Sequence, residues 1–258
     1  MRIGIGRHVL VLAMLMALAV GIGEGAAEDA VARGDSLWKQ RDSIEKTRQA
    51  IAVWEEATKI KRRDPDLWAK IARGYFWLGE LTPVGDKKKR MDACTKGIKA
   101  AQKAIDIEPE HLPARFWRIV LHGRYIEARG LLSGFDFGES IKTTLLITSR
   151  DETYYNGGIY RFWGRVMWSV PPVIGRFIKL DIKDSIETYE QALRISPHFL
   201  ETGLYMTDSY IKMGEKDKAR QTLEWMVKAD PEKMPEYAPE NRLYQRMAKE
   251  LLNKHFGG

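Results

Sequence analysis

The chain has 258 residues, enough for one large or two small domains, and its 42 basic and 35 acidic side chains leave a net charge of +7. The basic excess is spread over short clusters, residues 59–63 and 87–90, of the kind that solvate a helix face or loop, so no nucleic-acid partner is expected. Cys94 is the only cysteine, which excludes a disulfide framework. Among small and apolar neighbours its thiol is expected to be inert packing.

The N-terminus reads as a leader. Arg2 and Arg7 supply a positive start, Val9 to Ile22 is an uninterrupted run of 14 apolar or glycine residues, and Gly25-Ala26-Ala27 offers small residues for cleavage. A membrane anchor would need about 20 apolar residues. Residues 1–27 are therefore expected to be a cleavable signal peptide, and 28–258 a single helical domain in the periplasm. Loss of Arg2, Arg7 and Glu24 with the leader would take the net charge from +7 to +6.

Beyond the leader, apolar residues recur at helical spacing and no alternating strand pattern persists. A sharper signal is the constellation of a TPR second helix: a small residue, then positions four, seven and twelve further on, the last a proline. Small residues let helices approach, the bulky one fills the groove between them, and proline stops the helix. Gly97-Ala101-Ala104-Pro109, Ser185-Tyr189-Ala192-Pro197 and Ala219-Leu223-Met226-Pro231 fit without gaps, the last two offset by 34 residues, the TPR period. Ala50-Trp54-Ala57 fits with a late proline, Pro65. First helices show at Trp68-Ile71-Ala72-Tyr75 and, more weakly, at Gly203-Met206-Thr207-Tyr210. The expected fold is all-α, a TPR-like array of helical hairpins in an α-α superhelix with irregular central helices. An extended loop is expected over Leu81 to Lys89. Between Pro109 and Ser185 the pattern gives one helix near Ala114 to Tyr125, glycine breaks at Gly130, Gly134 and Gly138, and another helix from about Ile159 to Val170. After Pro239 a capping helix closes the array, with a frayed tail from Asn253.

Seven aromatics fall between Tyr154 and Phe177. On a helix beginning after Asn156-Gly157-Gly158, Ile159, Phe162, Trp163, Val166, Met167 and Val170 form one stripe and Tyr160, Gly164 and Trp168 a second. Arg161 and Arg165 are left on a narrow polar wedge. A helix apolar nearly all round is a buried one, with Gly164 allowing a close crossing and Pro171-Pro172 ending it. Either this helix is central packing, or part of its surface lines an apolar groove for a ligand or partner; aromatics and arginine suit both. The ligand- or partner-facing candidates are Tyr155, Tyr160, Arg161, Trp163 and Trp168, with Phe116 and Trp117 beside them.

No catalytic constellation is visible. His111, His122, His198 and His255 are not at metal-ligand spacing, there is no Gly-x-Ser-x-Gly elbow, and neither a dinucleotide fingerprint nor a P-loop is present. A non-enzymatic binding protein without metal or cofactor is expected.

The leader, the degenerate hairpins, Ala114-Arg115-Phe116-Trp117, Gly157-Gly158-x-x-Arg161-x-x-Gly164 before Pro171, and the run from Pro197 through Asp208-Ser209-Tyr210 and Ala219-Arg220-x-x-Leu223 to Pro239-Glu240 together resemble the TatT family, the T components of TRAP transporters associated with TPR proteins. The resemblance covers about residues 32–252. It implies a periplasmic accessory protein that partners the solute-receptor component of a TRAP transporter, self-associates as a homo-oligomer with a trimer among the arrangements, and offers an apolar channel or pocket to hydrophobic small molecules. The family pattern is a tethered lipoprotein, whereas this chain has no cysteine near its leader. The alternative is a general cell-envelope TPR scaffold that holds a peptide or assembly factor on its concave face.

Overall fold

The computed structural model describes residues 24–129, 134 and 136–257. Most of the expected leader, and Gly130, lie outside the described residues. Among those described the chain is helical throughout and no strand is present. In order come α1 (24–38), α2 (Ile44–Ala57), α3 (Pro65–Leu81), α4 (Lys87–Ile107), α5 (Leu112–Arg129) and α6 (Phe137–Arg150). They are followed by α7 (Tyr154–Ser169), the short α8 (Pro172–Ile178), α9 (Asp184–Ile195), α10 (Glu201–Met213), α11 (Lys216–Lys228) and α12 (Ala238–Phe256). Consecutive helices pack as hairpins, with α3 on α4, α5 on α4 and α6, and α10 on α11, while α7 packs on α9 across the short α8. This is the TPR-like array expected from the sequence.

Local chemistry sets the boundaries. Ser43, Asp64, Asp86 and Asp136 each accept a backbone N–H of the first turn of α2, α3, α4 and α6, satisfying donors that the helix itself leaves open. Pro65 stands at the start of α3, where its missing N–H costs nothing, and Gly214 ends α10 at φ 81°. The four second-helix constellations all point inward, Ala50, Ala101, Ala104, Ser185, Ala192 and Ala219 being completely enclosed. At Gly164 a Cβ would overlap the Tyr189 ring of α9, so the aromatic of one constellation occupies the place a side chain would take on α7.

Three local expectations change. The loop after α3 is confined to residues 82–86, because Asp86 caps α4 and Lys87 to Arg90 form its first turn rather than a loop. Gly138 does not break the chain but lies in the first turn of α6, the partner of α5 that had no visible signature. Its buried residues are Ser140, Thr143 and Ile147, hydroxyls where the pattern asks for alanine, and Ser140 Oγ is accommodated by donating to the Asp136 carbonyl at 2.8 Å. Asn253 to Phe256, expected to fray, continue α12, since Leu251, Leu252 and Phe256 still pack on the core.

The array does not stay open. A chain of ring contacts runs from Phe76 and Trp77 on α3 to Trp117 on α5, on to Tyr155 at the start of α7, to Phe199 before α10, to Tyr244 on α12, and back to Trp77. The inner faces of the first helices thus form one core. The ends are joined by Arg41, after α1, whose Nε and Nη2 donate to both carboxylate oxygens of Glu240 at 2.8 and 2.7 Å in a fully buried pair.

Two glycines separate close packing from helix propensity. Gly164→Ala should destabilise the protein by about 1–3 kcal/mol in urea unfolding, because overpacking against Tyr189 outweighs alanine's better propensity. Gly79→Ala on α3, whose Cβ would meet no atom within 4 Å, should stabilise it by about 0.5–1 kcal/mol.

Candidate functional site: an apolar cavity with a neutralised polar end

The site is built around the first turn of α7. Tyr155 (φ 48°), Asn156 (φ 58°) and Gly157 (φ 73°) are left-handed in succession. This costs about 1–2 kcal/mol for each of the two residues that carry a Cβ. The Asn156-Gly157-Gly158 segment, expected to precede the helix, therefore belongs to a defined left-handed turn within it. Arg161, one turn further on and 2% exposed, holds it. Its Nη2 donates to the Tyr155 carbonyl at 2.6 Å, its Nη1 to the Asn156 carbonyl, and its Nε to Glu201 Oε2 on α10 at 3.0 Å. Glu201 in turn accepts from the hydroxyls of Tyr205 (2.6 Å) and Tyr244 (3.2 Å). The Ser196 hydroxyl donates to Asn156 Oδ1 at 3.1 Å.

The turn throws the Tyr155 ring inward among Phe116, Trp117, Phe199 and Tyr237. Beside it a cavity of about 530 Å³ lies between α3, α5, α7 and α10. Phe76, Phe116, Val120, Ile126, Phe162 and Val166 make apolar walls, and Trp168, Pro171 and Ile174 line it on the side of α8. One end is charged but internally balanced. Arg124 donates to Glu127 at 3.1 Å, to Glu80 at 3.2 Å and to the Tyr205 hydroxyl. Arg165 donates to Asp208 at 2.6 Å and to Glu127, with its guanidinium 3.7 Å from the centre of the Trp168 ring. With Arg90, 3.9 Å from Glu80, four arginines thus face four carboxylates, Glu80, Glu127, Glu201 and Asp208. A ligand entering here meets a large apolar surface and a few neutralised polar groups, the usual composition of a small-molecule pocket.

Burial pushes the Glu127 carboxyl up, but the guanidiniums of Arg165 and Arg124 outweigh it and hold it down at about 2. Glu80 shows the opposite balance: burial wins over Arg124 and Arg90, and its carboxyl is raised. Burial also drives the Tyr155 and Tyr205 hydroxyls well above the usual phenol range, so both are neutral donors at any physiological pH. Cys94 lies in the core with its thiol pushed up to about 12 by burial.

Of the candidate residues, Tyr155, Arg161, Trp168 and Phe116 line the cavity. Tyr160 instead faces outward and donates its hydroxyl to Glu152 at 3.0 Å. Trp163 turns to α6, its Nε1 donating to Thr144 Oγ1 at 2.8 Å. Trp117 is core, 1% exposed and enclosed by Phe76, Phe116 and Tyr155. Arg124, Glu127, Glu201 and Tyr205 were not among the candidates. Their signal lies in spacing: Arg124/Glu127 and Glu201/Tyr205 are charged or polar residues three or four apart on otherwise inward-facing positions. Among the described residues no group of His, Cys, Asp and Glu suits a metal ion, and no described helix is long and apolar enough to cross a membrane.

Residues 30–157 match the family model of regulator of microtubule dynamics protein 1-3, and residues 181–244 match a tetratricopeptide repeat model. A search of curated proteins returned no match. The chain is a TPR-like helical protein: the repeat match takes in α9, α10 and α11 and the two constellations at the 34-residue offset, and the other match ends within the left-handed turn at Gly157.

Replacement of Arg161 by Lys keeps the charge but loses the fork that caps two carbonyls and Glu201 together. Arg161→Lys should cost roughly 3 kcal/mol in urea unfolding, as expected when a buried pair is broken. The acid limb offers a second check. Because Glu127 is lowered in the folded state, its stabilisation is complete above about 4.5 and is lost as the pH falls toward about 2. The raised Glu80 works in the opposite sense. The stability difference between wild type and Glu127→Gln, about 3 kcal/mol at neutral pH, should therefore shrink steadily across that window and not above it.

Proposed function

We propose that this chain is a non-enzymatic periplasmic accessory protein of a TRAP-type solute uptake system, binding the solute-receptor component and a hydrophobic small molecule. The observation that carries the ligand half is the cavity: about 530 Å³ of mostly apolar wall whose ionised end is already paired within the protein. A strongly anionic or cationic ligand finds no unbalanced charge there, whereas an apolar one with a single polar group matches its apolar walls. The partner half is supported by the TPR-like array, an architecture of protein–protein contact, together with the resemblance to the TatT family in the Gly157-Gly158-x-x-Arg161-x-x-Gly164 helix. The name of the family model matched over residues 30–157 speaks of microtubule dynamics. With a leader at 1–27 directing export, we take from that match its helical architecture alone. Self-association belongs to the same reading, as does its periplasmic location.

The rival reading, an envelope scaffold holding a peptide on a concave TPR face, is less well supported. In this chain the inner faces of α3, α5 and α12 are buried against one another, so a peptide would have to displace Trp77, Tyr155 or Tyr244.

The neutral fluorophore N-phenylnaphthylamine should bind saturably. Val120→Trp, which fills the cavity from its wall, should weaken that binding by at least about tenfold with the melting temperature unchanged. Capture of an extracytoplasmic solute receptor by tagged chain from a periplasmic extract supports the partner half. Capture of envelope-assembly proteins without a receptor favours the scaffold, and a cavity that takes up no apolar probe removes the ligand half.

A further inference from the structure

A second cavity, also of about 530 Å³, lies where the two ends of the array meet. It is lined by Asp35 and Trp38 of α1, Trp54 of α2, Lys70 and Arg73 of α3, and the segment 235–239 that leads into α12. Most of its charged groups are satisfied. Lys70 donates to both oxygens of Asp35 at 2.9 and 2.7 Å, and the Trp54 indole donates to the same carboxylate at 3.1 Å. Arg41 is fully engaged by Glu240, the Trp38 carbonyl and the Glu236 carbonyl.

Arg73 is different. Its guanidinium sits between the rings of Trp38, Tyr155 and Tyr237 at 5.2, 5.4 and 5.6 Å, and Nε and Nη2 are enclosed without a hydrogen-bond acceptor. Among the described residues its one ionic neighbour is Glu240 at 3.6 Å, a carboxylate whose oxygens already receive Arg41. Rings stabilise a cation but do not accept its in-plane N–H donors, and an enclosed donor without an acceptor is costly. Around the cavity, Lys39, Arg41, Lys70 and Arg73 face Asp35, Glu236 and Glu240, an excess of one positive charge. The walls beside Arg73 are indole and proline.

We infer that this cavity is a second binding site, for a monocarboxylate with an apolar or aromatic body, the carboxylate received by Arg73 and the body lying against Trp38 and Trp54. One excess charge matches one carboxylate, and guanidinium is the group that best matches carboxylate geometry. A free organic acid and the C-terminal carboxylate of a peptide present the same chemistry. Because the cavity joins α1, α2 and α3 to the start of α12, occupancy also ties the ends of the closed array together. This inference is independent of the apolar cavity between α5 and α7.

Titration of the full chain with phenylacetate, followed by the indole N–H resonances of Trp38 and Trp54, tests it. Phenylacetate at millimolar concentration should shift both resonances saturably and raise the melting temperature, and phenylacetamide should do neither. Arg73→Gln should weaken binding by at least about tenfold. Lys39→Met, at an exposed position that leaves the fold untouched, should weaken it about threefold through loss of the charge excess. A short peptide ending in phenylalanine, compared with its C-terminal amide, separates the sources. Tighter binding of the free peptide than of phenylacetate assigns the site to a chain end, and the reverse assigns it to a free acid. Equal binding of acid and amide, undiminished binding to folded Arg73→Gln or Lys39→Met, or no response to phenylacetate or to either peptide overturns the proposal.

Discussion

The buried Arg161–Glu201 pair is the interaction on which the rest of the centre depends. A guanidinium enclosed to this degree is tolerable only when its donors are used and its charge is met, and here one arginine does three things at once. It neutralises a carboxylate on α10, caps two carbonyls of the left-handed turn that opens α7, and packs over Tyr155 and Phe199. The turn in turn sets where the Tyr155 ring points, and that ring connects α5 to Phe199 and Tyr237. Remove the pair and the left-handed residues lose the compensation for their strain, the inward tyrosine loses its position, and the wall between cavity and core goes with it. Such strain persists where the surroundings over-determine it, and it clusters at functional sites.

Closure is the second constraint, and it changes what a TPR-like array can do. An open solenoid presents the inner faces of its first helices to a partner. Here those faces meet each other, through Trp77, Trp117, Tyr155, Phe199 and Tyr244, and α12 is less an end cap than the last wall of the core. The Arg41–Glu240 pair, 199 residues apart in sequence, seals the ends. Among the described residues, spaces remain between helices where closure is imperfect. Both cavities are of that kind.

Much of the fold was legible because its grammar is local. Alanines and prolines at TPR spacing report close helix approach and helix ends directly, and the small and bulky positions of every second-helix constellation proved buried. The failures are physical as well. Helix α6 was missed because Ser140 and Thr143 hide their hydroxyls by bonding or burial and so read as a polar, glycine-broken segment. The candidate site was half legible. Tyr155, Arg161 and Trp168 could be picked from an aromatic-rich helix with a polar wedge and Phe116 from α5 beside it, but Tyr160 and Trp163 share α7 and face elsewhere. Which side of α7 meets a cavity is decided by the left-handed turn that opens it, and that turn is held by Arg161, whose partner Glu201 lies forty residues further on. Long-range charge pairing leaves no periodic trace.

The charge pattern of the two cavities then follows from where each lies. Between α3, α5, α7 and α10 the carboxylates Glu80, Glu127, Glu201 and Asp208 each have an arginine partner on a neighbouring helix, so the lining is ionised yet balanced and favours apolar contents. At the junction of the chain ends, Arg73 has to share Glu240 with Arg41, and geometry gives Arg41 both of the carboxylate's oxygens. Here the carboxylate is shared unequally, with Arg41 at hydrogen-bond distance and Arg73 at 3.6 Å. The residual positive charge at the junction follows from Arg41 and Arg73 meeting the same carboxylate, Glu240, and it distinguishes the chemistry of that cavity from the one beside α7.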